Sequence, residues 1–351
     1  MAENVRLYAG TRDGVSVLRS QNGGWEAHGV PLPGVITECF AGSAQNPERV
    51  YVAGAAKGLY ATDDGGRRWS KLLDGDVRSV ALDPTNEDVI YAGTEPIHLF
   101  RSEDRGDSWD ELTALQDFPE DVKFNWWGPQ PPHQGHVANI LIHPDDPNII
   151  VLALEHGGMV RSLDRGATWE DVSKGIDYLD MHVVRALPGS RDRYFVSSAR
   201  AFFTTDDAAQ GWEASENGFT RDYFHDFVFL APAKEGAAPT TLIATADKSP
   251  GYWDRPERAQ TAFFRSRDGA QSWERVGRDL PEQIGAWAYA LANHPTDAHA
   301  AFAGFGDSVR GQNHEPFYGT GSIKATYDEG DSWQTLPVEV PAIYGLWAAP
   351  D

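Results

Sequence analysis

One eight-residue pattern recurs along the chain and narrows its possible folds more than any other feature. It reads Ser/Thr-x-Asp-x-Gly-x-x-Trp. It is complete at Thr62-Asp64-Gly66-Trp69, Ser102-Asp104-Gly106-Trp109, Ser162-Asp164-Gly166-Trp169 and Thr326-Asp328-Gly330-Trp333. Two copies carry Ala at the Gly position, Thr205-Asp207-Ala209-Trp212 and Ser266-Asp268-Ala270-Trp273, and a shortened copy runs Ser20-Asn22-Gly23-Gly24-Trp25. Such self-similarity marks a repeat architecture of stacked supersecondary units. The residue types suit a hairpin turn. Ser/Thr and Asp side chains accept hydrogen bonds from the turn's own N–H groups. Gly tolerates a backbone that reverses through positive φ, and Trp supplies an apolar plate to pack against strands. These acidic residues are therefore assigned to structure, not catalysis.

Each copy is preceded by two strand-like runs and followed by a third. Around Ser102, strands A to D are expected at Val77–Leu82, Val89–Thr94, His98–Ser102 and Glu111–Ala114, from apolar alternation bounded by Asp, Pro, Asn and Gly. Strand A recurs at Val137–Ile142, Val183–Leu187, Asp226–Leu230 and Trp287–Leu291. The spacing predicts an all-β chain, a seven-bladed β-propeller of four-stranded antiparallel blades. The chain begins with a B-type run, Val5–Gly10, and ends with an A-type run, Ile343–Ala348. The C-terminal strand A should thus complete the N-terminal blade and leave no open sheet edge. One domain over 1–351 is expected, with blades at about 4–33 plus 342–350, 34–74, 75–135, 136–179, 180–223, 224–284 and 285–340.

The repeat resembles the Asp-box (BNR) family. That family includes sialidases, xyloglucanase-type glycosidases, the sortilin-type receptor ectodomain and a photosystem II assembly factor. The resemblance implies a propeller along nearly the whole chain, and it is compatible with glycosidase, glycan-binding and scaffold functions. Two departures bear on activity. The Phe/Tyr-Arg-Ile-Pro element of sialidases is missing, and a single propeller cannot form the cleft that xyloglucanase-type enzymes make between two.

Composition excludes several function classes. With 52 Asp and Glu against 30 Lys and Arg, the net charge is −22, so the surface repels nucleic-acid phosphates and anionic lipid. A single cysteine, Cys39, allows no intrachain disulfide. No basic segment followed by an apolar one opens the chain, and no apolar run approaches membrane-spanning length. A cytoplasmic protein that binds neither nucleic acid nor membrane is the expectation.

Candidate functional residues follow from topology. Successive box tryptophans stand 44, 40, 60, 43, 61 and 60 residues apart. The three long intervals place extra chain in Gln116–Gly135, Asp247–Gln260 and Gly306–Gly321. All three fall on the face opposite the boxes, here called the top. Long loops on a rigid scaffold concentrate binding groups. Trp126, Trp127, Tyr252, Trp253, His314 and Phe317 in these loops, with Trp287, are the candidate substrate-binding residues. His133 and the arginines Arg12, Arg200 and Arg310 lie near the same loops.

Aligning the starts of strands A gives Thr37, Asp76, His136, His182, His225, Trp287 and Ala342. Three adjacent blades then carry histidine at one level of the channel mouth. His136, His182 and His225 are the candidate metal ligands, a set suited to Zn²⁺, Fe²⁺, Cu²⁺ or Mn²⁺. Glu155 and Glu95 each stand 19 residues after His136 and Asp76, and are the candidate catalytic carboxylates. His156 and His98 are weaker candidates, whereas His143 and His294 precede Pro at the far end of strand A and read as structural.

Three functions compete at this point. The first is a metal-dependent enzyme acting on a small molecule, a hydrolase, lyase or oxygenase. The second is a glycoside hydrolase or glycan-binding protein, for which Asp247 and Asp307 offer a carboxylate pair. The third is a non-catalytic scaffold with a protein partner.

Overall fold

The computed structural model describes residues 4–11, 13–21, 24–28, 32, 34–43, 45–126, 134–248, 259–281, 284–306 and 319–351. Seven antiparallel sheets form the ring of a propeller, and each contains a four-stranded A-B-C-D path. The inner strands A are Ile343–Pro350, Ile36–Ser43, Val77–Asp83, His136–Ile142, Met181–Ala186, Tyr223–Pro232 and Trp287–Asn293, for blades one to seven. The B strands are the most apolar. Val5–Thr11, Ile150–Glu155 and Ala301–Gly306 are buried along almost their whole length. Each B strand sits between two other strands of its blade, and neighbouring blades cover both faces of the sheet. This explains continuous apolar runs in place of alternation.

The ring closes as the sequence predicts. Strand A of blade one, Ile343–Pro350, pairs antiparallel with Val5–Thr11, Val5 opposite Pro350 and Gly10 opposite Gly345. An ion pair locks the seam: Arg6 donates through Nε to Asp351 at 2.8 Å and through Nη2 to Glu48 of the next blade at 2.9 Å.

The repeated turns sit between strands C and D. In the turn at Ser102, the serine hydroxyl donates to Asp104 at 2.7 Å and accepts from the Gly106 N–H at 2.8 Å, while Asp104 accepts from the Ser108 N–H at 2.8 Å. The same three bonds close the turns at Thr62, Ser162, Ser266 and Thr326. Gly106 has φ of +96°, which explains the Gly of the pattern. The two Ala copies resolve this demand differently. Ala270 accepts a φ of +67°. The turn at Thr205 changes shape instead: Thr205 donates to the Gly211 carbonyl and Gly211 takes the positive φ of 124°.

Two expectations are corrected. Strand D of blade three is shorter than Glu111–Ala114. It spans Asp110–Glu111, and Thr113–Asp117 is a 3-10 turn that buries Leu115. The box tryptophans are also not equivalent: Trp212, Trp273 and Trp333 are buried, whereas Trp69, Trp109 and Trp169 are half-buried.

Every inner strand carries a register shift at one level. It falls between Thr37 and Cys39, Val77 and Ser79, Val137 and Asn139, Met181 and Val183, Phe224 and Phe227, Ala288 and Ala290, and at Tyr344 between Ile343 and Gly345. A bulge adds one unpaired residue and redirects its side chain. Here the extra residues are Glu38, Arg78, Ala138, His182, the His225–Asp226 pair, Tyr289 and Tyr344. Inner strands of adjacent blades are joined by side chains. Ser79 donates to the Val137 carbonyl at 2.6 Å, and Asp226 accepts from the Leu291 N–H at 2.8 Å.

Candidate functional site

The bulges set the geometry of the channel mouth. Just above them, the inner strands place Ile36, Asp76, His136, Asp180, Tyr223, Trp287 and Ala342 at one level. The predicted alignment therefore needs correction at three blades, in one of which Ile36 and not Thr37 holds this level. Asp76, His136, Trp287 and Ala342 share the upper level. His182 and His225 lie two positions further on, at the bulges, and Asp180 and Tyr223 take the upper level in their blades. Sequence counting from the apolar run cannot see a bulge, because the extra residue leaves the hydrophobic pattern on either side intact.

The consequence for the three histidines is direct. His182 and His225 are neighbours, with ring centroids 4.8 Å apart, but His136 does not join them in one group. Among the described residues, the group of three or more ligand-type side chains whose donor atoms all lie within 4.8 Å of one another is Glu155, His156 and Asp180. His156 had looked secondary, and Asp180 had been missed. Its only sequence signal is a carboxylate two residues ahead of His182.

Each member is positioned by its hairpin. His136 pairs with Glu155 across strands A and B, as their 19-residue spacing implied, and its Nε2 lies 3.1 Å from the carboxylate. Glu95 lies 3.7 Å from the other nitrogen of His136, so the two predicted carboxylates bracket one imidazole. His156 follows in the B–C turn with φ of +62°, its Nε2 3.8 Å from Glu155. The His182 Nε2 is 3.7 Å from Asp180, and its Nδ1 is 2.6 Å from the Phe224 carbonyl of the next blade.

The electrostatics divide the rim. Arg78 gathers three carboxylates: Asp76 at 2.8 Å, Glu95 at 2.7 Å and Glu38 at 4.0 Å. Glu155 and Asp180 have only imidazoles as close cationic partners among the described residues. Burial opposes ionisation of Glu155, but His136, His182, His156 and Arg78 outweigh it and hold the carboxyl below its usual range. Asp180 goes the other way: burial, reinforced by Glu155, pushes it up against the pull of His182. Two nearby carboxyls with opposite shifts are a recurrent feature of functional sites.

The remaining candidates are distributed as follows. Trp126 is not a lid residue. The described first part of the Gln116–Gly135 loop, up to Trp126, folds into short helical turns over Thr113–Asp117, Glu120–Lys123 and Phe124–Trp126. They drive Trp126 into the core against Ile97, Leu115, Phe118 and Leu154. Trp287 is also buried, packed with Tyr223, Ala246 and Ala259 behind the mouth, and forms its wall. Trp127, Tyr252, Trp253, His314 and Phe317, together with His133, Asp307, Arg12 and Arg310, lie outside the described residues. Arg200 stacks on Tyr178 at 4.1 Å. His143 and His294 have the structural role expected, each accepting through Nδ1 from the turn that follows, at Asp145 and Asp297.

No family model and no curated protein matches the sequence. Among solved structures the chain is similar to a GH74 enzyme of Niastella koreensis, with a TM-score of 0.62 at 14% identity, covering 88% of this chain and 45% of that one. It is similar to a GH74 xyloglucanase of Xanthomonas campestris, with a TM-score of 0.55 at 15% identity, covering 96% and 66%. It is also similar to YCF48 bound to a D1 peptide, with a TM-score of 0.57 at 16% identity, covering 85% and 86%. The chain thus spans about half to two thirds of these GH74 enzymes. At such identities the shared property is the propeller fold, on which unrelated functions are built.

Proposed function

We propose that the chain is an Asp-box propeller that works as a metal-dependent enzyme on a small molecule at the top of its channel. Glu155, His156 and Asp180 are the ligands in this reading. The observation that carries it is the partnering of the rim carboxylates: Arg78 serves Asp76, Glu95 and Glu38, while Glu155 and Asp180 face imidazoles alone among the described residues. A divalent cation supplies the missing charge. Neighbouring donors on one four-coordinate ion stand roughly 3.3–3.6 Å apart, so donor atoms within 4.8 Å must draw in by about an ångström. Two carboxylates and one imidazole favour Mn²⁺, Fe²⁺ or Zn²⁺ over Cu²⁺. Such an ion activates water or polarises a carbonyl or other oxygen when bound. His136 orients Glu155 from its other side, and Glu95 in turn orients His136. His182 does the same for Asp180.

Likeness to GH74 enzymes favours a second reading, a glycoside hydrolase or glycan-binding protein with Asp247 and Asp307 as its carboxylate pair. Elemental analysis of untagged protein separates the two. The metal reading expects close to one equivalent of Mn, Fe or Zn, lost in Glu155→Gln and Asp180→Asn and retained in His294→Ala on the far face. Protein that purifies metal-free and stays so with added Mn²⁺, Fe²⁺ and Zn²⁺ sinks it.

A further inference from the structure

Arg200 lies outside the proposed ligand set but beside it. It stands in the B–C turn of blade five, between Tyr194–Ser198 and Phe202–Thr205, and is exposed. Its neighbour Ala199 donates its N–H to the Asp180 carbonyl at 3.0 Å. The Leu179 carbonyl accepts from the Gly157 and Gly158 N–H groups at 3.0 and 3.1 Å. Residues 178–180 are thereby tied both to the turn that carries His156 and to the turn that carries Arg200. The Arg200 guanidinium lies over the Tyr178 ring at 4.1 Å, two residues from Asp180. Stacking fixes the side chain but uses only a face of the guanidinium, so the in-plane fork of N–H donors stays available. The other arginines described on the top face are committed. Arg78 serves three carboxylates, and Arg221 donates to the Gln260 and Thr220 carbonyls at 2.8 and 2.9 Å. Arg200 has no ion-pair partner among the described residues.

We infer that Arg200 selects the substrate, a small carboxylate anion with its carboxylate in the Arg200 fork and a second oxygen group at the ion. The inference rests on the metal reading of Glu155, His156 and Asp180. Every ligand meets the same charges. The ion offsets Glu155 and Asp180. Glu38, Asp76 and Glu95 outnumber Arg78 and keep the side of blades two and three negative. The Arg200 fork is the positive group on blade five that no carboxylate among the described residues has taken. An anionic end therefore has one place to go, on the side turned away from the Arg78 cluster. The fork grips both oxygens of a planar carboxylate at once, which an amide or alcohol cannot match. Because Tyr178 already holds the guanidinium, little freedom is lost when the carboxylate arrives.

Calorimetric titration of the protein as purified tests the inference. The probes are succinate, glutarate and adipate, which vary the spacing between two carboxylates, and their diamides as uncharged counterparts. At least one dianion should bind, roughly tenfold or more tighter than its diamide. That affinity should fall by roughly tenfold or more in Arg200→Gln. Arg200→Lys, which keeps the charge and loses the fork, should restore only part of it. Tyr178→Leu should weaken binding several-fold and Tyr178→Phe should restore it. Lys57→Gln removes an exposed cation from the B–C turn of blade two and should change nothing. Metal content should hold in Arg200→Gln and Lys57→Gln, both at exposed positions, so these two carry the test where a Tyr178 variant fails to fold. The inference is overturned if no dianion binds, if the diamides bind as tightly, if Arg200→Gln binds like the parent, or if Lys57→Gln loses as much. Protein that holds no metal and still binds a dianion through Arg200 refutes the metal reading alone and leaves the selection by Arg200 standing. Metal-loaded protein whose binding ignores Arg200 refutes the inference and leaves the metal reading standing.

Discussion

The two faces of the propeller use the same carboxylate side chain to opposite ends. On the bottom, Asp104 accepts from the Ser102 and Ser108 hydroxyls and the Ser108 N–H. The Ser108 hydroxyl and N–H hold it down at about 2. On the top, Asp180 is pushed up by burial and by Glu155, and its Oδ1 has no hydrogen-bond partner among the described residues. The bottom turns repeat because each solves the same backbone problem. The rim does not repeat because each blade adds a different side chain to one shared site. A carboxylate satisfied by its own turn is structure, and one left to imidazoles is a candidate for chemistry.

The contrast breaks most severely at the seam. Removal of residues 342–351 takes away the whole of Ile343–Pro350 and the Asp351 partner of Arg6. It leaves the Val5–Thr11 edge open. The cooperative unfolding transition should disappear by circular dichroism. A truncated protein with the parent melting profile refutes the closure as a stabilising element.

Next in size are the buried box tryptophans. Trp273 stacks on Phe219 at 4.6 Å and donates to Ser215 at 2.8 Å. Trp273→Ala should cost about 3–5 kcal/mol in urea unfolding. Trp109→Ala should cost clearly less, because that ring is half-buried. Metal content per folded molecule should hold in both. Loss of the ion from the Trp273 variant would show that the two faces are coupled.

A smaller effect sharpens the comparison through pH. Asp104 is lowered in the fold, so its stabilisation is present above the unfolded value near 3.9 and disappears as pH falls toward about 2. Asp180 is raised, so its ionised form costs stability once pH exceeds the unfolded value. In metal-free protein, Asp104→Ala should lower the urea midpoint at pH 7, with the difference narrowing below pH 4. Asp180→Asn should leave that midpoint unchanged or raise it. A fall of equal size in both variants at pH 7 would erase the distinction between the faces.

The repeat made the fold legible, since turn chemistry and the order of strands are local properties. The site was legible only where it followed strand pairing. The 19-residue spacings placed Glu155 opposite His136 and Glu95 beside Asp76. It failed where the histidine sits at the bulge itself, as His182 and His225 do, two positions beyond the level of His136, which Asp180 and Tyr223 hold in their blades. Trp126 misled for another reason. A loop rich in aromatics reads as a binding surface, but its described part coils into short helical turns and spends the Trp126 ring on the core. Nothing in the local sequence distinguishes an aromatic residue facing solvent from one folded under its own loop.

The smallest expected change in stability comes with a complete loss of metal, at His156. This residue occupies the B–C turn of blade four with φ of +62°, a conformation that side chains with a Cβ adopt at a cost. The matching turn of blade two sets Ala56 at φ of +56°, and both turns close with the same bond, Gly157 N–H to the Leu154 carbonyl and Lys57 N–H to the Gly54 carbonyl. The turn is therefore a property of the blade and does not require histidine. Glycine adopts positive φ at no steric cost, so His156→Gly relieves strain while adding chain entropy to the unfolded state. The two effects oppose each other, and metal-free stability should change by less than about 1 kcal/mol. The metal, however, loses one of its three proposed ligands, and Glu155 and Asp180 alone make a poor site. Parallel urea melts and elemental analysis of the variant should give an unchanged midpoint and an empty protein. Retained metal would remove His156 from the ligand set and return the choice to His136 and His182. A large fall in stability would show that the imidazole packs for structure, and that its place beside Glu155 and Asp180 reflects the fold alone.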